Sequence, residues 1–252
     1  MGCMRYVVVG AGAVGGVIAG RMVAAGHDVV AVARGEHGRV IKADGLRIES
    51  PGGVEVVRVP VAASIGEVDW SAGDLALLTV KSQHTVGALD ELRAATDLPV
   101  PIVCAQNGVG NESEALRRFP DVYGICVMCP CGYLEPGVVE ARWHPVSGLL
   151  DIGRYPGGVD ERAAEIAAAL SGSTFESRPV PDVMRWKYRK LILNLGNAVQ
   201  VLCGPQSRRG ELSKRLAAEG EACLAAAGID VVSVEDDRAR RDASITLPPV
   251  GT

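Results

Sequence analysis

Three polar side chains lie at helical spacing within an otherwise apolar stretch. Lys190, Asn194 and Asn197 are four and three residues apart, which places them on one face of a helix. Leucine and isoleucine occupy most of the surrounding positions, and asparagine lowers helix propensity, so a purely solvated face would not need these amides. The three groups either satisfy one another inside a core or line a polar pocket, and the composition favours the pocket.

A pocket with one cation and two amides suits the reduction of a ketone. Hydride addition to a carbonyl group builds negative charge on its oxygen, which must be neutralised or protonated. A lysine in a partly desolvated cleft has a lowered pKa and can donate a proton near neutral pH. Amide side chains can orient the carboxylate and hydroxyl groups of a substrate without adding charge.

The N-terminal stretch predicts a site for the hydride donor. Arg5–Val9 contains three consecutive valines, which is typical of a strand buried on both faces, and residues 13–25 predict an apolar helix. Between them, glycines in G-x-G-x-x-G spacing allow a tight turn, close approach of a pyrophosphate, and close packing of helix on strand. The alternative is a glycine-rich turn that only packs a helix. The predicted cofactor-binding residues are Gly10, Ala11, Gly12, Ala13, Val14 and Gly15.

The residues after the second predicted strand indicate which dinucleotide binds. Residues 27–33 end without the carboxylate that accepts hydrogen bonds from a ribose 2′-hydroxyl in NAD-binding folds. Arg34 follows instead, and its planar guanidinium suits a 2′-phosphate, with Arg39 as a possible second contact. We therefore expect NADP(H) rather than NAD(H). An exposed loop arginine without a ligand is the alternative, and the nearby Glu36 favours it slightly.

Composition argues against several classes of protein. The 252 residues suffice for one large or two modest domains, and 48% are hydrophobic but only 4% aromatic, so aliphatic residues must form the core. A formal net charge of −4 without long basic runs argues against nucleic acid or an anionic membrane as the main partner. Because no apolar run predicts a transmembrane helix and the N-terminus enters the first strand directly, we expect no signal peptide and a cytoplasmic location.

The cysteines favour a reducing compartment. Seven cysteines, an odd number, lie scattered through apolar segments, as in a cytosolic protein with reduced thiols. Cys126, Cys129 and Cys131 form a C-x-x-C-x-C cluster that could be interpreted as a zinc site. Since no fourth ligand is evident and Cys126 lies within an apolar strand-like run, we expect no metal.

Alternating strands and helices predict a Rossmann-type, doubly wound and mostly parallel α/β sheet. Pro179 and Pro181 mark a linker, so we expect an NADP-binding domain over residues 1–180 and a helical substrate domain over 181–252. An antiparallel hairpin turning at residues 51–53 is inserted into the first domain. The other predicted strands cover residues 74–80, 101–105, 122–128, 138–143 and 148–153. Predicted helices cover residues 82–96 with Ser82 as N-cap, 112–119, 161–170, 182–202 and 207–227, and residues 35–43 predict a short helix or loop.

Polar side chains follow two predicted parallel strands. Ligands of open parallel sheets bind at the carboxyl ends of the strands, and Lys81, Gln106 and Asn107 occur there without an obvious folding role. Lys81 could equally be a solvated loop charge, and Asn107 with the following glycine could form a simple turn. Because they map to the cofactor side of the sheet, the two positions together favour a binding role.

Four motifs in order resemble those of the ketopantoate reductase (2-dehydropantoate 2-reductase) family. They are GAGAVGG, VKSQ at Lys81, QNGVG at Asn107 and WKYRKLILNLGNAV, and the resemblance covers most of residues 4–230. It implies reduction of ketopantoate to pantoate with NADPH, a step of pantothenate biosynthesis. It also implies that Lys190 is the proton donor, that Asn194 binds substrate, and that Lys81 and Asn107 contact cofactor and substrate.

The chain departs from the family pattern in two places. The second substrate asparagine of the family falls at Ala198, and Asn197 lies one residue earlier, about 100° around the helix. The family continues with further helices, whereas residues 233–252 are charged and then proline-rich and predict a loop. We therefore expect an incomplete helical domain whose apolar faces are covered in a homodimer. A non-catalytic NADP(H)-binding protein and a reductase of another 2-oxo acid are the alternatives.

Overall fold

Buried apolar runs form the strands at the centre of the molecule. The computed structural model describes residues 4–133 and 135–242. Its strands are β1 (Arg5–Val9), β2 (Val29–Val32), β3 (Leu46–Ser50), β4 (Gly53–Val57), β5 (Val61–Ala62), β6 (Asp74–Leu78), β7 (Ile102–Cys104), β8 (Val122–Met128), β9 (Cys131–Gly132), β10 (Val138–Ala141), β11 (Gly148–Arg154) and β12 (Phe175–Glu176). Its α-helices are α1 (Ala13–Ala24), α2 (Gly35–Asp44), α3 (Thr85–Ala95), α4 (Asn111–Leu116), α5 (Glu161–Ser171), α6 (Val183–Cys203), α7 (Glu211–Ala226) and α8 (Val234–Asp242).

The main sheet is mostly parallel. Within the described residues it has eight strands in the order β12-β11-β8-β7-β6-β1-β2-β5. Neighbouring strands are parallel except for β8 and β11, which pair in antiparallel orientation. Since β2 and β6 flank β1 on opposite sides, the chain changes winding direction there, which is where Rossmann folds bind dinucleotides. The predicted Rossmann-type fold with a helical C-terminal part is confirmed.

A second, smaller sheet packs against α1. The predicted hairpin is confirmed as β3 and β4, but it joins β9 and β10 in a separate sheet of order β4-β3-β10-β9. The strand predicted over residues 138–143 is present as β10, but it lies outside the main sheet. Glycines on α1 permit this packing, because a Cβ at Gly16 would lie 2.7 Å from Val139 and one at Gly20 would lie 2.5 Å from Ile48.

Several predicted boundaries differ from the structure. The helix predicted from Ser82 begins at Thr85, after a 3-10 turn over Ser82–His84, so Ser82 is not its N-cap. The helix predicted from residue 207 begins at Glu211, after a second 3-10 turn, because glycine precedes the helix at that point. The segment predicted as a loop from residue 233 contains α8, while residues 243–252 lie outside the described part of the chain.

No helix within residues 4–133 or 135–242 combines the length and the apolar character needed to cross a membrane.

A buried ion pair attaches α6 to the main sheet. Lys187 of α6 lies 2.6 Å, Nζ to Oε1, from Glu112 of α4, and the two side chains are 2% and 0% exposed. The same ammonium donates hydrogen bonds to the carbonyl oxygens of Gln106, at 2.8 Å, and Ile125, at 3.2 Å. Among the described residues, neither carboxylate oxygen of Glu112 has another hydrogen-bond partner. Lys187 therefore balances a charge that would otherwise be isolated in the core.

We expect Lys187→Met to lower the free energy of unfolding by about 3–5 kcal/mol, because it leaves the Glu112 carboxylate buried without a partner. Urea unfolding followed by circular dichroism measures the change. The double variant Lys187→Met, Glu112→Met removes both charges and should recover much of the loss. A single variant as stable as the unmodified chain would contradict the assignment of Glu112 as a buried carboxylate held by Lys187.

Candidate active site

A groove of about 1170 Å³ follows the carboxyl ends of β1, β2, β6 and β7. Parallel strands place these ends at one edge of the sheet, where open α/β folds bind their ligands. Many of the predicted cofactor residues line it: Gly10, Ala11, Gly12, Ala13, Val14, Arg34, Lys81 and Asn107.

The glycine-rich turn has a shape that fits a pyrophosphate. Gly10 has a φ of +103°, and a Cβ there would lie 2.7 Å from Val80, so both the conformation and the space require glycine. Gly12 is the N-cap of α1, and a Cβ on it would meet no atom within 4 Å, so its backbone faces open space. Gly15 does not line the groove; its missing Cβ would lie 2.2 Å from the Gly10 carbonyl oxygen, so it allows the helix to pack on the turn.

Of the two candidate arginines for a 2′-phosphate, only Arg34 lines the groove. Arg34 is 70% exposed, lines the groove, and forms an ion pair with Glu91, which also lines it. Glu91 in turn accepts a hydrogen bond from the Ile65 backbone N–H at 3.0 Å. Arg39 pairs instead with Glu36 and is not among the groove residues, so the structure does not bring the two arginines together.

The loop after β7 joins the groove to a smaller cavity. Gln106 is held by hydrogen bonds from its Nε2 to the Val80 carbonyl oxygen, at 2.6 Å, and the Thr85 hydroxyl, at 2.8 Å. Its Oε1 is buried without a hydrogen-bond partner in the described part of the chain, and a buried acceptor of this kind suits a ligand donor. The Asn107 carbonyl oxygen accepts from Ser82 Oγ at 3.2 Å, so this serine orders the loop.

Lys190 and Asn107 meet at the smaller cavity, whose volume is about 10 Å³. Lys190 comes from α6 and Asn107 from the loop after β7, so two distant motifs converge on one place. Gln106 and Asn107 line both cavities, which places the lysine cavity beside the groove. The residues around the smaller cavity are Gln106, Asn107, Gly108, Ile125, Cys126, Val127, Lys187 and Lys190.

The surroundings of Lys190 favour loss of its proton. Burial is the main cause that lowers the pKa of this ammonium, and the charge of Arg208 lowers it further. The thiols of Cys126 and Cys129 and the carboxylate of Asp237 act in the opposite direction. Within the described residues Lys190 forms no ion pair, in contrast to Lys187 one turn earlier.

The two asparagines of α6 lie away from these cavities. Asn194 is half-buried and Asn197 is exposed, and neither is among the residues that line the groove or the lysine cavity. The shared helical face is real, but only its Lys190 end reaches the cleft between α6 and the sheet.

Sequence reasoning missed Lys187, Glu112 and Asp237. Lys187 precedes Lys190 by three residues, so the same helical spacing could have identified it. Asp237 is 1% exposed, pairs with Arg241 through Oδ2, and its Oδ1 has no partner among the described residues. It was missed because it lies in the segment interpreted as a loop.

Comparison with known proteins is consistent with this geometry. Residues 6–157 match the family model described as ketopantoate reductase PanE/ApbA. A 2-dehydropantoate 2-reductase of Pyrococcus horikoshii is 31% identical over 193 residues, which cover 76% of this chain and 61% of that protein. One of Halobacterium salinarum is 31% identical over 258 residues, covering 96% and 82%. This chain thus spans about three fifths of the Pyrococcus protein.

A solved structure extends the likeness to the whole described fold. The PanE/ApbA family ketopantoate reductase of Ralstonia eutropha superposes with a TM-score of 0.79 at 28% identity, covering 95% of this chain and 80% of that one. The family match spans more than half of the chain. The chain belongs to the ketopantoate reductase PanE/ApbA family.

Proposed function

We propose that this chain reduces the 2-oxo acid ketopantoate (2-dehydropantoate) to pantoate with NADPH, a step of pantothenate biosynthesis. The observation that carries the proposal is Lys190, an ammonium whose pKa is lowered by burial in a cavity that adjoins the dinucleotide groove. A protein that only binds a nucleotide has no need of such a group, because burying an unpaired lysine costs free energy.

Different groove residues would bind different parts of the dinucleotide. The backbone N–H groups of Ala13 and Val14 at the start of α1 would hold the pyrophosphate, Arg34 would hold the 2′-phosphate, and Lys81 and Asn107 would contact the nicotinamide half. When bound, the dinucleotide supplies a hydride to the carbonyl carbon of the substrate.

The cavity residues act on the substrate oxygen. Lys190 donates its proton to the carbonyl oxygen as negative charge develops there, and burial eases this step by destabilising the charged ammonium. Asn107 lies beside it and is assigned to orient the substrate. We assign Asn194 and Asn197 to the substrate carboxylate and hydroxyl groups from the sequence alone, because neither side chain lines the groove or the lysine cavity.

We expect Lys190→Met to lower kcat for ketopantoate by about 10²–10⁴-fold, because the proton donor is removed. Loss of NADPH absorbance measures turnover, and the quenching of tryptophan fluorescence measures the Kd for NADPH, which should hardly change. Lys214→Met, on the exposed surface of α7, is the matched control and should retain full activity.

The pH profile tests the same role. Reduction requires the protonated ammonium, so kcat should fall as pH rises through the pKa of Lys190. Since burial lowers that pKa, the fall should begin below the pH at which ordinary lysines titrate. Undiminished turnover in Lys190→Met would show that the proton comes from another group.

We expect Arg34→Ala to raise the KM for NADPH about tenfold and to leave the KM for NADH nearly unchanged, because a charge-assisted contact with the 2′-phosphate is lost. Glu91→Gln frees Arg34 from its ion pair and should lower the KM for NADPH. Steady-state kinetics with the two cofactors give both values.

Arg39→Ala removes an arginine of the same helix region that pairs with Glu36 outside the groove, so it is the matched control. A preference for NADH in the unmodified chain, or equal effects of the two arginine substitutions, would contradict the role given to Arg34.

We further propose that the chain forms a homodimer through its helical part, residues 181–252, which is the second of two domains divided near residue 180. Val201 and Leu202 are 84% and 83% exposed at the end of α6. Apolar side chains this exposed favour burial against a partner, and a second copy offers the same apolar surface. The buried thiols of the core strands suit a cytoplasmic location.

We expect the double variant Val201→Asp, Leu202→Asp to sediment as a monomer under conditions in which the unmodified chain sediments as a dimer, because it places two charges in the apolar contact. Val54→Asp, Val56→Asp on the exposed hairpin is the matched control, since these valines are 59% and 57% exposed. A monomeric unmodified chain in sedimentation velocity would contradict the proposal.

A further inference from the structure

Two cysteines beside the groove have no part in the proposed reduction. Cys131 is half-buried on β9 and lines the groove together with Gly132 and Tyr133. Cys129 lies two residues earlier, and its thiol donates a hydrogen bond to the Ser147 carbonyl oxygen at 3.5 Å. In the described part of the chain, no three His, Cys, Asp or Glu side chains are grouped to hold a metal ion, so the chemistry open to this pair is that of thiols.

The two thiols differ in character. The neighbouring Cys129 thiol, together with the positive charges of Arg142 and Lys190, holds the pKa of Cys131 below its usual range. The neighbouring Cys131 thiol raises the pKa of Cys129, and the partial burial of Cys129 raises it further. Cys131 is therefore the better nucleophile, and Cys129 is a neighbouring thiol that keeps its proton.

The two cysteines lie on one short turn of the backbone. Only Pro130 separates the cysteines, and its carbonyl oxygen accepts a hydrogen bond from the Arg142 N–H at 2.9 Å, which fixes this turn against β10. Two residues span at most about 7 Å, close to the upper limit of the Cα separation in disulfides. A bond between these sulfurs needs a small closure of the turn, and a disulfide formed with such strain is readily reduced.

We propose that Cys131 is a site of reversible oxidation by hydroperoxides, with Cys129 as its resolving thiol. The Cys131 thiolate attacks one peroxide oxygen, the S–O bond forms, the O–O bond breaks, and the released hydroxide takes up a proton to become water. Cys129 then loses its proton as its sulfur attacks the sulfenic sulfur, the S–S bond forms, and the S–O bond breaks to release a second water. The two thiols lose two electrons and the peroxide gains them; two equivalents of a small thiol reverse the change.

Oxidation at this place acts on the groove through a short chain of contacts. Tyr133 follows β9 and packs edge-on against the His37 ring, with centroids 4.6 Å apart. The His37 Nε2 lies 2.7 Å from the Ala11 carbonyl oxygen in the glycine-rich turn. Closure between Cys129 and Cys131 shifts β9 and, with it, Tyr133, so it should weaken nucleotide binding. This consequence rests on the proposed function of the groove, whereas the oxidation itself does not.

The test treats the full chain with hydrogen peroxide and analyses its peptides by mass spectrometry. Cys203→Ser, Cys223→Ser is the background, because these cysteines are exposed on α6 and α7 and would react on their own. We expect the peptide with Cys129 and Cys131 to lose two hydrogen atoms and to regain them with dithiothreitol. Cys126 in the same region is an internal control that should stay unmodified, because burial raises its pKa to about 11.

Single variants separate the two roles. Cys129→Ser should stop at a sulfenic acid on Cys131, detected as a dimedone adduct, whereas Cys131→Ser should leave Cys129 unmodified. Failure of Cys131 to react at peroxide concentrations that oxidise Cys203 in the unmodified chain would overturn the proposal.

The Kd for NADPH of the oxidised chain tests the effect on the groove. A several-fold rise that dithiothreitol reverses supports the link from β9 to the glycine-rich turn, and an unchanged Kd overturns that link. Because the mass readout needs no turnover, a failed oxidation is distinguishable from a failure of the proposed reductase activity.

Discussion

The site depends on how two lysines, one helical turn apart on α6, are buried differently. Lys187 lies against the Glu112 carboxylate and two carbonyl oxygens, so its charge is compensated and it fixes α6 to the sheet. Lys190 lies at the edge of the same packing without an ion pair among the described residues, and burial lowers the pKa of its ammonium. The two lysines are thus buried with different results: Lys187 has a compensating carboxylate, whereas Lys190 has a lowered pKa.

Most of the fold and part of the candidate site could be predicted from short stretches of sequence. The apolar runs of β1, β6 and β8 and the glycine spacing before α1 depend on a few consecutive residues, so the sequence predicted the parallel sheet and its groove. The convergence of Lys190 and Asn107 was also predictable, because Asn107 belongs to a strand end and Lys190 to a marked polar helical face. Buried charge pairs were not, since Glu112 and Lys187 are 75 positions apart and only the docking of α6 joins them.

Other parts of the structure escaped prediction for different physical reasons. The second sheet unites β3 with β10 across about ninety residues, and its packing depends on Gly16 and Gly20 of α1, which follow the glycine-rich turn. The α8 helix did have local signals: Ser233 Oγ accepts a hydrogen bond from the Asp236 N–H at 2.9 Å, acidic residues fill the first turn and arginines the last. The proline-rich sequence that follows obscured them.

The glycine-rich turn is also held by hydrogen bonds through His37 to the backbone just before β10 of the second sheet. The Gly137 N–H donates to His37 Nδ1 at 2.8 Å, so the ring proton must lie on Nε2, which donates to the Ala11 carbonyl oxygen at 2.7 Å. One neutral imidazole thereby connects the turn before β10 to the turn after β1. This contact holds the Ala11–Gly12 peptide on its carbonyl side, and on its other side the Gly12 N–H donates to the Gly10 carbonyl oxygen at 2.8 Å. The glycine-rich turn is thus held in part by a residue more than a hundred positions away in the chain, and the proposed effect of a change at β9 on nucleotide binding depends on these contacts.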